Sequence, residues 1–206
     1  MFDEVQCGLG RLGTPMGFRS IIDDADFQPD AVSWAKGLGG GIPIGAIWVS
    51  DHAVSAEHPE QKMCDVLGPG SHGSTFGGNP LVSATSLAVL EEIHQHRLWE
   101  NAAERGKQLV DGIREFKSPL IKEVRGLGLM LGIVLDEAAY DSVPGFAESP
   151  AAASAFTVQK LMDAGLMTIP AKTNVVRLLP ALDITAANVE EALHIMNETL
   201  QRLSGS

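Results

Sequence analysis

Lys36 stands in Trp34-Ala35-Lys36-Gly37-Leu38-Gly39-Gly40-Gly41, a single amine behind an apolar run and ahead of four glycines in five positions. Glycines at that density allow φ > 0 and let the main chain approach a bound group closely. The motif therefore reads either as Schiff-base chemistry on the amine or as a solvated lysine in a flexible loop. Upstream, Met1-Phe2-Asp3-Glu4-Val5-Gln6-Cys7-Gly8-Leu9-Gly10-Arg11 reads as a strand end running into a glycine-rich loop. Far downstream, Arg177 lies in Asn174-Val175-Val176-Arg177-Leu178-Leu179, a strand-like run with apolar neighbours on both sides. A guanidinium in such surroundings needs an anion, supplied by a substrate carboxylate or by a protein Asp or Glu.

The interval from Asp3 to Lys36 predicts two parallel strands, the second at residues 31–34, joined by a helical crossover over residues 18–26. Both residues then lie at carboxyl ends of strands, the edge where open α/β sheets bind ligands. Beyond them the pattern predicts a strand over 44–49, an irregular segment with a short helix over 59–70, and a long buried helix over 81–96. A second helix, 98–116, carries Leu98, Ala102, Leu109 and Ile113 on one side. Two strands broken at Gly126-Leu127-Gly128 follow over 121–135, then an irregular, acidic 136–150 loop. A helix over 151–164, strands at 166–169 and 174–179, and an amphipathic helix from the cap Thr185 to Leu203 complete the chain. The change of domain is placed near Arg97, giving an α/β piece over 1–96 and a smaller α+β domain over 97–206.

Four segments occur in order and at suitable spacing. They are Asp3-Glu4-Val5-Gln6 with Gly8-x-Gly10-Arg11; Ala35-Lys36-x-Leu38-Gly39-Gly40-Gly41-x-Pro43-x-Gly45-Ala46; His72-Gly73-Ser74-Thr75-Phe76-Gly77-Gly78-Asn79-Pro80; and Val176-Arg177-Leu178-Leu179-Pro180. Together they resemble the class III, ornithine-type aminotransferases of the fold type I pyridoxal-phosphate group, and within it the acetylornithine-type members. The resemblance implies a partial large domain, the end of a mostly parallel sheet, followed by the small carboxyl-terminal domain. It implies pyridoxal 5'-phosphate as cofactor, bound covalently by Lys36, whose freed amine then moves a proton from the substrate α-carbon. Asp3 is the carboxylate beside the pyridine nitrogen, Val5 packs on the ring and Gln6 donates to its hydroxyl. Thr75 reaches the cofactor phosphate of a partner subunit across a homodimer interface, and Arg177 takes the substrate α-carboxylate. The amino donor implied is N-acetylornithine or a related ω-amine such as ornithine or 4-aminobutyrate, and the acceptor is 2-oxoglutarate. Because the resemblance covers only the carboxyl-terminal half or so of the family's length, the expectation is a noncatalytic fragment of such an enzyme. Gly10-Arg11-Leu12-Gly13 departs from the family, which has threonine after the arginine.

Composition narrows the classes further. A chain of 206 residues with 45% hydrophobic residues and a mean hydropathy of +0.08 fits a globular protein. No apolar run is long enough to span a membrane, and a formal charge of −11 argues against nucleic acid or anionic lipid as partners. Cys7 and Cys64 form no disulfide framework, which makes a reducing cytoplasm the expected location. The six histidines lack zinc-ligand spacing, and no metal site is expected.

Overall fold

The computed structural model describes residues 1–68 and 70–205. The chain divides into two compact units, Met1–Trp99 and Glu100–Ser206.

In the first unit, β1 (Phe2–Asp3) runs parallel to β2 (Ala31–Trp34), and β3 (Ala46–Val49) pairs antiparallel on the far side of β2. The register sets Phe2 against Val32 and Asp3 against Ser33. Val32 is 2% exposed, while Phe2, Phe18 and Phe27 form an aromatic trio with centroids 5.3 to 6.1 Å apart. The expected helical crossover is absent: the connection contains one four-residue 3-10 turn, Gly17–Ser20. Asp23-Asp24-Ala25-Asp26 places three carboxylates in four residues, poor helix material, and the chain there is irregular instead. The Arg19 guanidinium holds it, donating to the carbonyls of Asp24 and Phe27.

After β3 comes an antiparallel hairpin, β4 (Ala53–Ser55) with β5 (His58–Lys62), then the single turn α1 (Met63–Val66). The irregular segment expected from residue 59 thus begins inside a strand. Every hairpin residue is exposed, so neither face carries the apolar alternation that marks a strand in sequence. Helix α2 (Pro80–Gln95) occupies its expected place, capped by Asn79 Oδ1 accepting from the Val82 N–H. It is not the buried helix expected. Only Val82 and Ser86 are buried, and Leu81, Leu87 and Leu90 are exposed, because its apolar residues are spread around the cylinder rather than gathered in one stripe.

The second unit follows the sequence pattern closely. Helix α3 (Leu98–Glu115) buries Ala102, Gly106, Leu109 and Ile113, a stripe at helical spacing. Strands β6 (Ile121–Leu127) and β7 (Met130–Leu135) make a hairpin, and β8 (Ile169–Ala171) and β9 (Val175–Leu178) complete an antiparallel sheet in the order β6-β7-β9-β8. Pairing sets Leu131 against Leu178 and Ile133 against Val176, and all four are buried in one core with α3 residues. Val189, Met196, Leu200 and Leu203 of α5 (Ala186–Ser204) join that core, as do Phe156 and Leu161 of α4 (Ala153–Asp163). Thr185 caps α5 as expected, its hydroxyl oxygen accepting from the Asn188 N–H at 3.2 Å. The 136–150 segment carries a 3-10 turn, Glu137–Ser142, whose Tyr140 is fully buried with its hydroxyl 2.5 Å from Thr157 Oγ1. Thr157 gives its own hydrogen to the Ala153 carbonyl, so Tyr140 is the donor. Burial raises the Tyr140 pKa above its ordinary value.

Among the described residues no helix is long and apolar enough to cross a membrane, both cysteines are free, and no group of histidine, cysteine and carboxylate residues is placed to hold a metal ion.

Gly106 lets α3 press on the β6–β7 turn: a Cβ there would lie 2.1 Å from the Gly128 carbonyl oxygen, which is backbone and cannot swing aside. Gly106→Ala is expected to destabilise the protein by about 2–3 kcal/mol despite its better helix propensity. Urea unfolding followed by circular dichroism checks this.

Candidate active site

Two of the expected residues, Asp3 and Lys36, lie at or just beyond the carboxyl ends of β1 and β2. Asp3 ends β1, and the Glu4 N–H donates to the Ser33 carbonyl at 2.9 Å, which carries the parallel pairing one step past the strand. Two residues after β2 ends at Trp34, the chain turns at Lys36 into the 3-10 turn Lys36–Gly39. Lys36 has φ = 47°, a left-handed conformation that costs about 1–3 kcal/mol for a residue with a side chain. Leu9, Arg97, Lys117 and Lys172 share it, so the conformation alone does not mark a site.

The surroundings of Lys36 say more. Its exposed amine has no carboxylate partner among the described residues. It lines an open concavity of about 840 Å³ with the 41–45 segment, Ser74, Phe76, Gly77, Gly78 and Val82. Helix α2 contributes Val82 to that lining and presses on the glycine turn with Thr85 and Val89. Gly40, at φ = 56°, closes that turn, and a Cβ there would lie 2.9 Å from Val89 Cγ2 and 3.6 Å from Thr85 Cγ2. The 74–78 loop is tied to the start of α2 by Asn79, whose Nδ2 donates to the Phe76 carbonyl at 2.8 Å. Backbone N–H groups of an α-helix's first turn beside such a concavity favour an anion.

The Asp3 carboxylate is exposed and closes its own turn, Oδ1 accepting from the Val5 N–H at 3.0 Å. Val5 and Gln6 are half-buried in that turn. None of the three lines the concavity around Lys36. Thr75 is exposed between two residues that do line it, Ser74 and Phe76.

In the second unit, Arg177 lies in the middle of β9, between Gly132 of β7 and Ile169 of β8. It is half-buried, no carboxylate pairs with it among the described residues, and its Nε is buried without a hydrogen-bond partner. Among the described residues, the protein ion pair that the sequence left open is not seen. An orphaned guanidinium N–H is costly, and a bound carboxylate satisfies it.

Sequence reasoning missed Glu4. Its side chain is 2% exposed, with Oε1 accepting from the Phe18 N–H at 2.7 Å and Oε2 from the Trp34 indole at 3.3 Å. A second carboxylate directly after Asp3, at the point where the strand gives way to a turn, was the available signal, overshadowed by Asp3 itself.

The family described as aminotransferase class-III matches residues 1–200 of the 206. The chain belongs to the class-III aminotransferases. Among this family's members, the acetylornithine aminotransferase of Synechocystis sp. is 39% identical over 98% of this chain and 42% of its own length. That of Oceanobacillus iheyensis is 34% identical over 100% of this chain and 45% of its own. Of the solved class-III structures, the ornithine aminotransferase of Toxoplasma gondii superimposes with a TM-score of 0.80 at 29% identity, over 98% of this chain and 43% of that one. The acetylornithine aminotransferase of Elizabethkingia anophelis gives 0.78 at 29%, over 96% and 44%. The chain thus has the class-III fold along nearly all its length and spans less than half the length of these relatives.

Cys7, in the turn after Asp3, is half-buried, and its thiol pKa is raised by burial and then by the charges of Glu4 and Asp3, with a backbone hydrogen bond acting the other way. A raised pKa leaves less thiolate at a given pH. Alkylation of Cys7 by iodoacetamide is accordingly expected to keep accelerating beyond the ordinary thiol value of 9.0, as peptide mapping over a pH series checks.

Proposed function

We propose that this chain carries the lysine-bearing part of a pyridoxal 5'-phosphate aminotransferase site, acting on N-acetylornithine or a related ω-amine as donor and 2-oxoglutarate as acceptor. Class-III aminotransferases depend on that cofactor, and the Toxoplasma gondii ornithine aminotransferase holds it at partial occupancy in its own active site. One observation carries the reading. The unpaired Lys36 amine opens on a concavity just beyond the carboxyl end of β2, a strand that runs parallel to β1, which ends at Asp3.

The residues present fit the group. An aldehyde needs an accessible amine, which Lys36 offers. At the start of α2, Pro80 has no N–H and those of Val82 and Ser83 bond to Asn79, so the Leu81 N–H is the one the first turn offers a phosphate. A carboxylate substrate suits the orphaned Nε of Arg177. When bound, pyridoxal phosphate supplies an electron sink for the charge left on carbon when a proton departs. Lys36 holds the group through its amine and, once released, moves the proton from the carbon that bears the reacting nitrogen. By the family's motif, Asp3 would hold a proton on the pyridine nitrogen, Val5 would pack on the ring and Gln6 would donate to its hydroxyl, although none of the three lines the Lys36 concavity. Thr75 acts across a homodimer interface on the partner's phosphate, and Arg177 holds the substrate α-carboxylate. The assignment to Arg177 rests on features of the second unit alone, its motif and its unpartnered Nε. We place the protein in the cytoplasm, in keeping with its two free thiols.

The share of the relatives' length that is covered favours a second reading, in which these 206 residues take the cofactor but do not turn over by themselves. Pyridoxal phosphate added to the purified protein, followed by borohydride and peptide mapping, is expected to label Lys36, and Lys36→Ala to lose the label. Label with transfer from N-acetylornithine to 2-oxoglutarate supports the full activity, label without transfer the second reading, and absence of label on the folded protein overturns both. Arg177→Gln is expected to weaken 2-oxoglutarate binding by about tenfold in calorimetry, the loss of a charge-assisted pair.

A further inference from the structure

Glu4 is a buried carboxylate that the proposed chemistry does not use. It is attached at four points. Its N–H donates to the Ser33 carbonyl at 2.9 Å and its carbonyl accepts from the Gly8 N–H at 3.0 Å. Its carboxylate accepts from the Phe18 N–H at 2.7 Å and from the Trp34 indole N–H at 3.3 Å. The chain is shaped around it. A Cβ on Gly8 would lie 2.8 Å from Glu4 Cβ, carbonyl O and Oε2, and one on Gly17 would lie 3.2 Å from the Glu4 carboxyl carbon and Oε1. These partners come from three separate segments: the turn after Asp3, the start of the Gly17–Ser20 turn, and the end of β2 two residues before Lys36.

A carboxylate out of water persists only where both oxygens are satisfied, and here each oxygen draws on a different segment. Moving either segment leaves an unpaired charge-bearing oxygen inside the unit. The geometry points to Glu4 as a positioning residue that locks the Asp3 turn to the Lys36 end of β2. The claim rests on the proposed function for its chemical meaning, because it sets the spacing of the carboxylate and amine assigned there. Glu4 itself touches no reacting atom. Its neighbour Asp3 closes only a local turn through Val5, so the link to β2 beyond the backbone ladder runs through the Glu4 side chain.

Two substitutions test it on the 206-residue protein without cofactor, by amide hydrogen exchange. Glu4→Gln replaces one acceptor oxygen by a donor. It is expected to speed exchange at Phe18, which bonds to the carboxylate, and at Leu38, whose N–H closes the Lys36 turn onto the Ala35 carbonyl. Each should rise by about tenfold or more, while Ile133 in the core of the second unit stays unchanged. Trp34→Phe keeps an aromatic ring but removes the indole donor, and is expected to free Leu38 while leaving Phe18 protected. With pyridoxal phosphate present, both variants should trap the cofactor on Lys36 by borohydride at least about tenfold more slowly, with a shifted pH dependence of the visible absorption band. Faster exchange at Phe18 with Leu38 and trapping unaltered shows that Glu4 serves only its own turn, and overturns the claim. So does a Trp34→Phe protein in which Leu38 stays protected, even if Glu4→Gln fails to fold. If the unsubstituted protein forms no Lys36 adduct, the reading of its function falls, and the exchange pair still decides whether Glu4 couples the two segments.

Discussion

The register of β1 on β2 is the constraint from which the rest of the first unit follows. Two paired positions, Phe2 with Val32 and Asp3 with Ser33, fix which strand end faces which. A parallel ladder that short contributes little by itself, since parallel pairs have slanted bonds and must first close a long connection. The pairing therefore depends on what surrounds it. Phe2, Phe18 and Phe27 pack on one another under the strands, and the Glu4 carboxylate ties the connection and β2 to the same point. A one-residue slip would carry Phe2 out of the aromatic trio and Glu4 away from both its donors.

Much of this architecture is legible in the residues. The run Ala31–Trp34, bounded by an acidic loop and a glycine cluster, reads as a short buried strand, and the structure has that strand with Ala31 and Val32 buried and Ser33 and Trp34 half-buried. In the second unit the stripe on α3 is buried on one side, so the period of its apolar residues shows directly, whereas β7 shows as an almost continuous apolar run with Ile133, Val134 and Leu135 all buried. The failures have equally physical causes. The connection between β1 and β2 has helix-like length but carries Asp23-Asp24-Ala25-Asp26, and its order comes from Arg19 reaching carbonyls, a contact that no periodicity records. The β4–β5 hairpin buries neither face, and α2 distributes leucines around its axis, so pattern misleads about both.

A candidate residue shows in the sequence where its type must meet a group of opposite character, and does not show where residues serve one another. Lys36 alone leaves two readings even and Asp3 is singled out by family resemblance, whereas Arg177 stands in surroundings that call for a partner, and sequence shows that mismatch. Glu4 is the reverse. Its charge is answered completely inside the unit, so nothing in the sequence reports a deficit, and only coordinates show that its two oxygens reach segments 14 and 30 residues away.

The two units hold their charged groups by different means. Arg177 is fixed by ladder register, in a central strand bonded on both sides, over a core shared by α3, α5 and the sheet. Its backbone position is thus as stable as that unit's core. Lys36 sits on a turn in a left-handed conformation, held down by α2 pressing on Gly40 and by the strand end that Trp34 anchors to Glu4. Strain of about 1–3 kcal/mol at one residue persists only where neighbouring contacts over-determine it. Those contacts are few here, and α2 leaves much of its apolar surface exposed. Of the two groups, Lys36 is therefore the one whose placement yields first when the first unit loosens, whereas Arg177 keeps its place until the sheet itself unravels.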